Sequence, residues 1–123
     1  MLEIGIKHQS VMRVMDGNTA EFIGSGDMAV LATPAMVALM ENAAMLAVAL
    51  HLEEGETTVG SMISTSHLKP SKIGASISAV AELTAIEGRK ISFKISAYDG
   101  DTLIGEGEHV RFIVNREKFL SKL

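Results

Sequence analysis

Residues 32–50 read ATPAMVALMENAAMLAVAL, and a helix built on them is apolar on every side except at Glu41 and Asn42. A helix of that kind has to be buried. It is no membrane span: crossing the hydrocarbon takes about 20 predominantly apolar residues. The run from Pro34 to Leu50 is shorter and carries a carboxylate and an amide near its middle. Its limits are written in the sequence. Thr33-Pro34 is a helix start, the hydroxyl suited to capping free N–H groups and the proline to the first helical position. Gly55, after Glu53-Glu54, is a natural stop. Between them the 3.6-residue repeat predicts a helix of about five turns.

Past Gly55 the period drops to two. In ASISAVAELTAI the apolar Ala75, Ile77, Ala79, Ala81, Leu83 and Ala85 alternate with Ser76, Ser78, Glu82 and Thr84. ISFKISAYD sets Ile91, Phe93, Ile95 and Ala97 against Ser92, Lys94, Ser96 and Tyr98. Such alternation marks half-buried strands. Glu87-Gly88 is the expected turn between them, and Asp99-Gly100 opens the next hairpin. TLIGEGEHVRFIVN supplies another strand, with Gly105 and Gly107 as candidates for a bend or bulge. TTVGSMISTSHLK precedes these three and ends at Pro70, and a strand is expected between Gly5 and Met15. The order is strand, loop, long apolar helix, then four antiparallel strands. An all-apolar helix needs a wrapping, and a strongly curved antiparallel sheet supplies most of it, with a second copy of the chain covering the rest. The fold class is α+β, a hotdog fold in which a curved sheet wraps one central helix.

Composition narrows the function. At 123 residues the chain is one domain, 1–123, with no repeat and no linker. Aromatics are only 4%, while Met (8) and Gly (11) are plentiful, so the core is built from small and flexible side chains. Net charge is −4, without basic runs, which argues against nucleic acid as a partner. Cysteine is absent, so disulfides and thiolate metal sites are excluded. No charged-then-apolar leader precedes the domain, and a cytoplasmic protein is expected, without a membrane partner.

Glu41 stands out chemically. Its helical neighbours Val37, Ala38, Ala44 and Met45 are apolar, and an unpaired carboxylate among them is costly. It either escapes at the helix edge, pairs with a structural cation such as Arg111, or faces a cleft as general base or nucleophile. Thr33 has a structural role as cap. A helix start also offers unpaired N–H groups, here those of Ala35 and Met36, able to hold a carbonyl oxygen as it becomes an oxyanion. His67, in STSHLKP, sits late in a strand at a sheet margin. His8, His51 and His109 carry weaker signals, the last alternating with Arg111 on the final strand. There is no G-x-S-x-G elbow, no zinc spacing and no phosphate-loop signature.

LATPAMVALMENAA, GETTVGSMISTSHLKPSKIGASISAVAELTAIEGRKISFKISAYDGDTLIGEGEH and EKFLSKL, in that order, resemble the fluoroacetyl-CoA thioesterase branch of the hotdog superfamily. The resemblance runs from about Leu31 to the C-terminus. It implies hydrolysis of an acyl-CoA thioester in a homodimer, or a dimer of dimers, with active sites at the subunit interface and no cofactor beyond the CoA of the substrate. By the family pattern Thr33, Glu41 and His67 fall on the catalytic trio and Gly60 on a backbone position lining the site. Glu41 would attack or activate water, Thr33 would orient the reacting group, and His67 would place water or carry a proton. One departure concerns the aromatic lid of the fluoroacetyl-specific enzymes: the matching stretch EFIGSGDMAVLA has Phe22 as its only aromatic, with Met28 near the helix. A short or medium acyl-CoA is therefore the expected substrate. Lys69, Lys72, Arg89 and Lys90 are turn-borne candidates for CoA contact. Two other readings remain: a non-catalytic acyl-CoA-binding module, and a hotdog hydratase or dehydratase. The latter needs a histidine near the helix start paired with an aspartate, and ATPAMVALMENAA has neither.

Overall fold

A computed structural model describes all 123 residues. Strand β1 (Lys7–Arg13) leads through a short 3-10 turn and helix α1 (Ala20–Ile23) to the long helix α2 (Thr33–Ala49). Strands β2 (Glu56–Thr65), β3 (Ser76–Glu87), β4 (Lys90–Asp99) and β5 (Thr102–Asn115) follow, and helix α3 (Arg116–Ser121) closes the chain. The sheet is antiparallel throughout, in the order β1-β3-β4-β5-β2. It curls around α2, whose Met36, Met40, Ala43, Ala44 and Val48 are fully buried. This is the hotdog fold.

The period-two pattern fixes which strand residues face the helix. Ile77, Ala79, Ala81 and Leu83 of β3, and Ile91, Phe93, Ile95 and Ala97 of β4, all enter the core. Thr84 interrupts the β3 register as a bulge between Leu83 and Ala85, which leaves Ala85 only half-buried. The tight turns fall one residue later than expected, at Gly88-Arg89 and Gly100-Asp101, because Glu87 pairs with Lys90 and Asp99 with Thr102. Gly88 and Gly100 take φ of +65° and +60°, the left-handed region a two-residue hairpin turn asks for.

Two boundaries differ from the sequence reading. Helix α2 ends at Ala49, six residues before Gly55, because Leu52 folds back against the core and Gly55 (φ +85°) is used to enter β2. Strand β2 ends at Thr65, so His67 lies in the loop beyond it rather than within the strand.

Gly105 and Gly107 explain how that loop is held. A Cβ on Gly105 would lie 2.6 Å from the Ser66 carbonyl oxygen and 2.8 Å from the Met36 sulfur. One on Gly107 would overlap the Ser64 carbonyl oxygen. These glycines let β2 lie flush on β5 just ahead of His67. Gly107→Ala should destabilise the fold by about 1–3 kcal/mol through overpacking, read as a lower midpoint in urea with unchanged slope.

Candidate active site

Thr33 is the first residue of α2, but the capping position belongs to Ala32 and no side chain caps the helix. The Thr33 hydroxyl is committed elsewhere: its Oγ1 lies 2.7 Å from Nδ1 of His67. The Leu68 N–H donates to the Ile104 carbonyl and the Ser66 N–H to the Glu106 carbonyl, so β5 carries the loop that presents the imidazole. Burial lowers the His67 pKa below its ordinary value, the Lys69 backbone opposing more weakly. A neutral ring results at neutral pH. Its Nε2 is buried without a hydrogen-bond partner in the chain, which leaves one ring nitrogen for a substrate or water. The pair borders a cleft of about 280 Å³ walled by Ala20, Val30, Leu31, Leu68 and Pro70, with Lys69 at its margin.

The Ala35 and Met36 N–H groups, expected to be free oxyanion donors, both donate to the Ala32 carbonyl, at 3.0 and 3.1 Å. Proline at the second helical position keeps the first turn tight, and these groups close it. Within this chain they are helix-forming rather than free.

Glu41 is two turns further along α2, about 12 Å from Thr33 at 1.5 Å per residue. Its side chain is 41% exposed and leans on β2 and β5. Oε2 accepts from Nη1 of Arg111 at 3.3 Å. Gly60 makes this approach possible, since a Cβ there would stand 2.6 Å from Oε2. Gly60→Ala should therefore push the carboxylate aside. If Glu41 takes part in the chemistry, the expected result is a fall in kcat of about 10²-fold, with the fold retained by circular dichroism.

Arg111 is itself buried, its side chain 8% exposed. Nε donates to the Thr58 hydroxyl at 2.8 Å and Nη2 to the Thr58 carbonyl at 3.1 Å. Burial draws its pKa down and Glu41 pulls it back up. Beside it His109, 1% exposed, is held below its ordinary value chiefly by burial, the Met62 backbone bond opposing. The structure thus forms two clusters: Thr33 with His67, and Glu41 with Gly60, Arg111 and His109. Sequence reading named Arg111 as a structural partner for Glu41 and gave His109 only a weak signal, although its strand alternation puts it on the same face as Arg111.

Both depressed histidines have a consequence for stability. In the unfolded chain each takes up a proton near pH 6.5; folded, each resists it. The unfolded state then binds more protons, so stability is fully present above about pH 6.5 and falls as pH drops through that value. Urea midpoints measured down a pH series should show the decline, and His109→Gln should flatten it.

Of the CoA-contact candidates, Lys69 borders the cleft, and Lys72 bridges Val30 through its backbone. Arg89 is bound to Glu56 at 2.7 Å, at the opposite end of the sheet with Lys90. Phe22 and Met28 stand mostly in solvent on the segment before α2.

A curled antiparallel sheet around one apolar helix is the architecture of the hotdog thioesterases. Residues 14–117 match the family described as FlK, fluoroacetyl-CoA-specific thioesterase. The fluoroacetyl-CoA thioesterase of Streptantibioticus cattleyicolor is 42% identical over 94 residues, which are 76% of this chain and 68% of that protein. A solved structure of the fluoroacetyl-CoA thioesterase FlK superposes with a TM-score of 0.92 at 33% identity, covering 99% of this chain and 95% of that one. A thioesterase superfamily member from Thermus thermophilus gives 0.90 at 29% identity, covering 98% and 89%. The chain belongs to the fluoroacetyl-CoA-specific thioesterase family, hydrolases that act on CoA thioesters. No helix is long and apolar enough to cross a membrane.

Proposed function

We propose that this chain hydrolyses a short- or medium-chain acyl-CoA as a cytoplasmic homodimer, each site joining Thr33 and His67 of one subunit to Glu41 of the other. The observation that carries this is the 2.7 Å contact between Thr33 Oγ1 and His67 Nδ1, with Nε2 buried and unpartnered beside a cleft of mixed polar and apolar lining. A neutral imidazole so placed can hold water or a thioester carbonyl. Glu41 of the same chain stands two turns further along α2, which supports a site shared between two chains.

The sheet offers a means of joining two chains. Strand β2 ends the strand order, its outer edge is unpaired, and Gly60, Ser61 and Met62 are exposed along it. An unpaired edge of this length invites another strand. Pairing it with the β2 of a second copy extends the sheet and covers the exposed Met45 and Leu46 of α2.

In the reaction a carboxylate oxygen of Glu41 takes a proton from water as the water oxygen bonds to the thioester carbon. Thr33 and His67 fix the reacting groups, and collapse of the tetrahedral intermediate breaks the C–S bond. The departing sulfur receives the proton, giving a carboxylic acid and free CoA. No cofactor takes part. Direct attack by Glu41, through an anhydride, uses the same groups.

The Thr33–His67 geometry also favours a second reading, in which the hydroxyl is the nucleophile and the imidazole its base. That route leaves an acyl group on Thr33, which mass spectrometry of a quenched reaction would reveal. For substrate range, the exposed Phe22 is the sole aromatic of the segment before α2, which supports non-fluorinated short or medium acyl groups. Thiol release from a panel of acyl-CoAs, acetyl- and fluoroacetyl-CoA included, tests the proposal. Rapid release from short or medium members supports it, and tight binding without release from any of them would identify an acyl-CoA-binding module instead.

A further inference from the structure

His109 is used by none of the steps above, yet it is among the most buried polar side chains of the molecule. Its hydrogen bonds define its state. Nδ1 lies 2.8 Å from the Met62 carbonyl oxygen, which can only accept, so Nδ1 carries the hydrogen. Nε2 lies 3.2 Å from Nη1 of Arg111, which can only donate, so Nε2 offers its lone pair. Only the neutral Nδ1–H tautomer satisfies both. The same Nη1 donates to Glu41, whereas His109 Nε2 and Glu41 Oε2 are 4.0 Å apart, beyond direct hydrogen bonding. Phe93 packs against the imidazole with ring centroids 6.0 Å apart.

Four of the five Arg111 N–H groups are thereby accounted for: two by Thr58, one by His109 and one by Glu41. Thr58 anchors one side of the guanidinium to β2. His109 holds the Nη1 corner, the one that reaches Glu41. Without an acceptor there, one Nη1–H is left unmet, and only the Thr58 bonds on the far side hold the whole planar group against tilting away from its carboxylate partner.

We infer that His109 is a positioning residue that, as the neutral Nδ1–H tautomer, fixes the Arg111 guanidinium and through it sets where the Glu41 carboxylate stands. The functional half of this rests on the thioesterase reading; the structural half does not. Protonation of His109 would turn Nε2 into a donor facing Nη1–H, two donors in contact, and release the corner.

Two substitutions separate positioning from mere core filling. His109→Asn keeps an N–H where Nδ1 was, for Met62, and offers Arg111 nothing. His109→Gln places its side-chain carbonyl where Nε2 was, restoring an acceptor for Nη1. In wild type, ¹⁵N spectra should show the neutral Nδ1–H tautomer at neutral pH, with slow exchange of the Arg111 Nη1 hydrogens. In His109→Asn that exchange should quicken, and kcat should fall about ten- to a hundredfold with KM unchanged, as expected for a displaced reacting group. His109→Gln should recover most of both. Equal losses in both variants that track a fall in Tm would overturn the inference, as would normal exchange and normal kcat in His109→Asn. If wild type releases no thiol from any acyl-CoA, the thioesterase reading fails alone, and the tautomer and exchange data still decide the role of His109.

Discussion

Replacing Glu41 with glutamine is expected to lower kcat for thioester hydrolysis by a factor of about 10² to 10⁴, the usual contribution of a positioned base. Glutamine has the same shape, and its carbonyl oxygen can still accept from Arg111 Nη1, now 3.3 Å from Oε2. The local packing over Gly60 therefore survives, and Tm should hardly move. What is lost is the ability to take a proton from water or to attack carbon. KM should stay close to wild type, because in the proposed reaction the carboxylate acts on the reacting centre and not on the CoA moiety. Stopped-flow thiol release measures this directly, and a glutamine variant within a few fold of wild type would remove Glu41 from the chemistry.

The second large effect concerns the Thr33–His67 pair. Thr33→Ala and His67→Ala should each cost about 10²-fold in kcat, and the double variant little more than either, because groups acting as one unit are strongly non-additive. Thr33→Ser keeps the hydroxyl and should stay active. Stability supplies an internal check. A threonine that capped α2 would cost about 1 kcal/mol on removal. Thr33 makes no cap bond here, so Thr33→Ala should leave Tm nearly unchanged while activity collapses. A fall in Tm with activity intact would return Thr33 to a structural role.

Much of the fold was legible because two periodicities carry it. The unbroken apolar run of α2 demanded a wrapping, and the alternation in β3 and β4 supplied the inner face of that wrapping residue by residue. The helix end was misjudged because Gly55 carries the left-handed signature of a stop, and only tertiary packing of Leu52 shows that the chain turns earlier. Thr33-Pro34 gave the right start for the wrong reason: the hydroxyl that local chemistry assigns to the helix is taken by an imidazole 34 residues away.

The candidate site was legible in part of its grouping: pairing of Glu41 with Arg111 was among the readings the sequence offered, and the structure has that contact. Thr33, Glu41 and His67 were named, but spacing along one helix could say only that two of them stand two turns apart. That Glu41 meets Gly60 and Arg111 depends on the register of β2 against β5, where Gly60 pairs with Arg111 across a bulge. Register of that kind is not written in either strand alone. His109 carried only a weak signal for a related reason: its weight comes from the Met62 carbonyl and Arg111, both brought to it by the sheet.

Mixing two inactive proteins tests most directly whether each site is built from two chains. Chains carrying Glu41→Ala and chains carrying Thr33→Ala are unfolded together in equal amounts, refolded, and assayed for thiol release. A two-fold dimer with shared sites gives mixed dimers in half the population, each with one intact site, so about one quarter of wild-type activity should return. If the mixture stays as inactive as its components while mass spectrometry shows that mixed dimers have formed, the sites are not shared between subunits and the assembly proposed here is wrong.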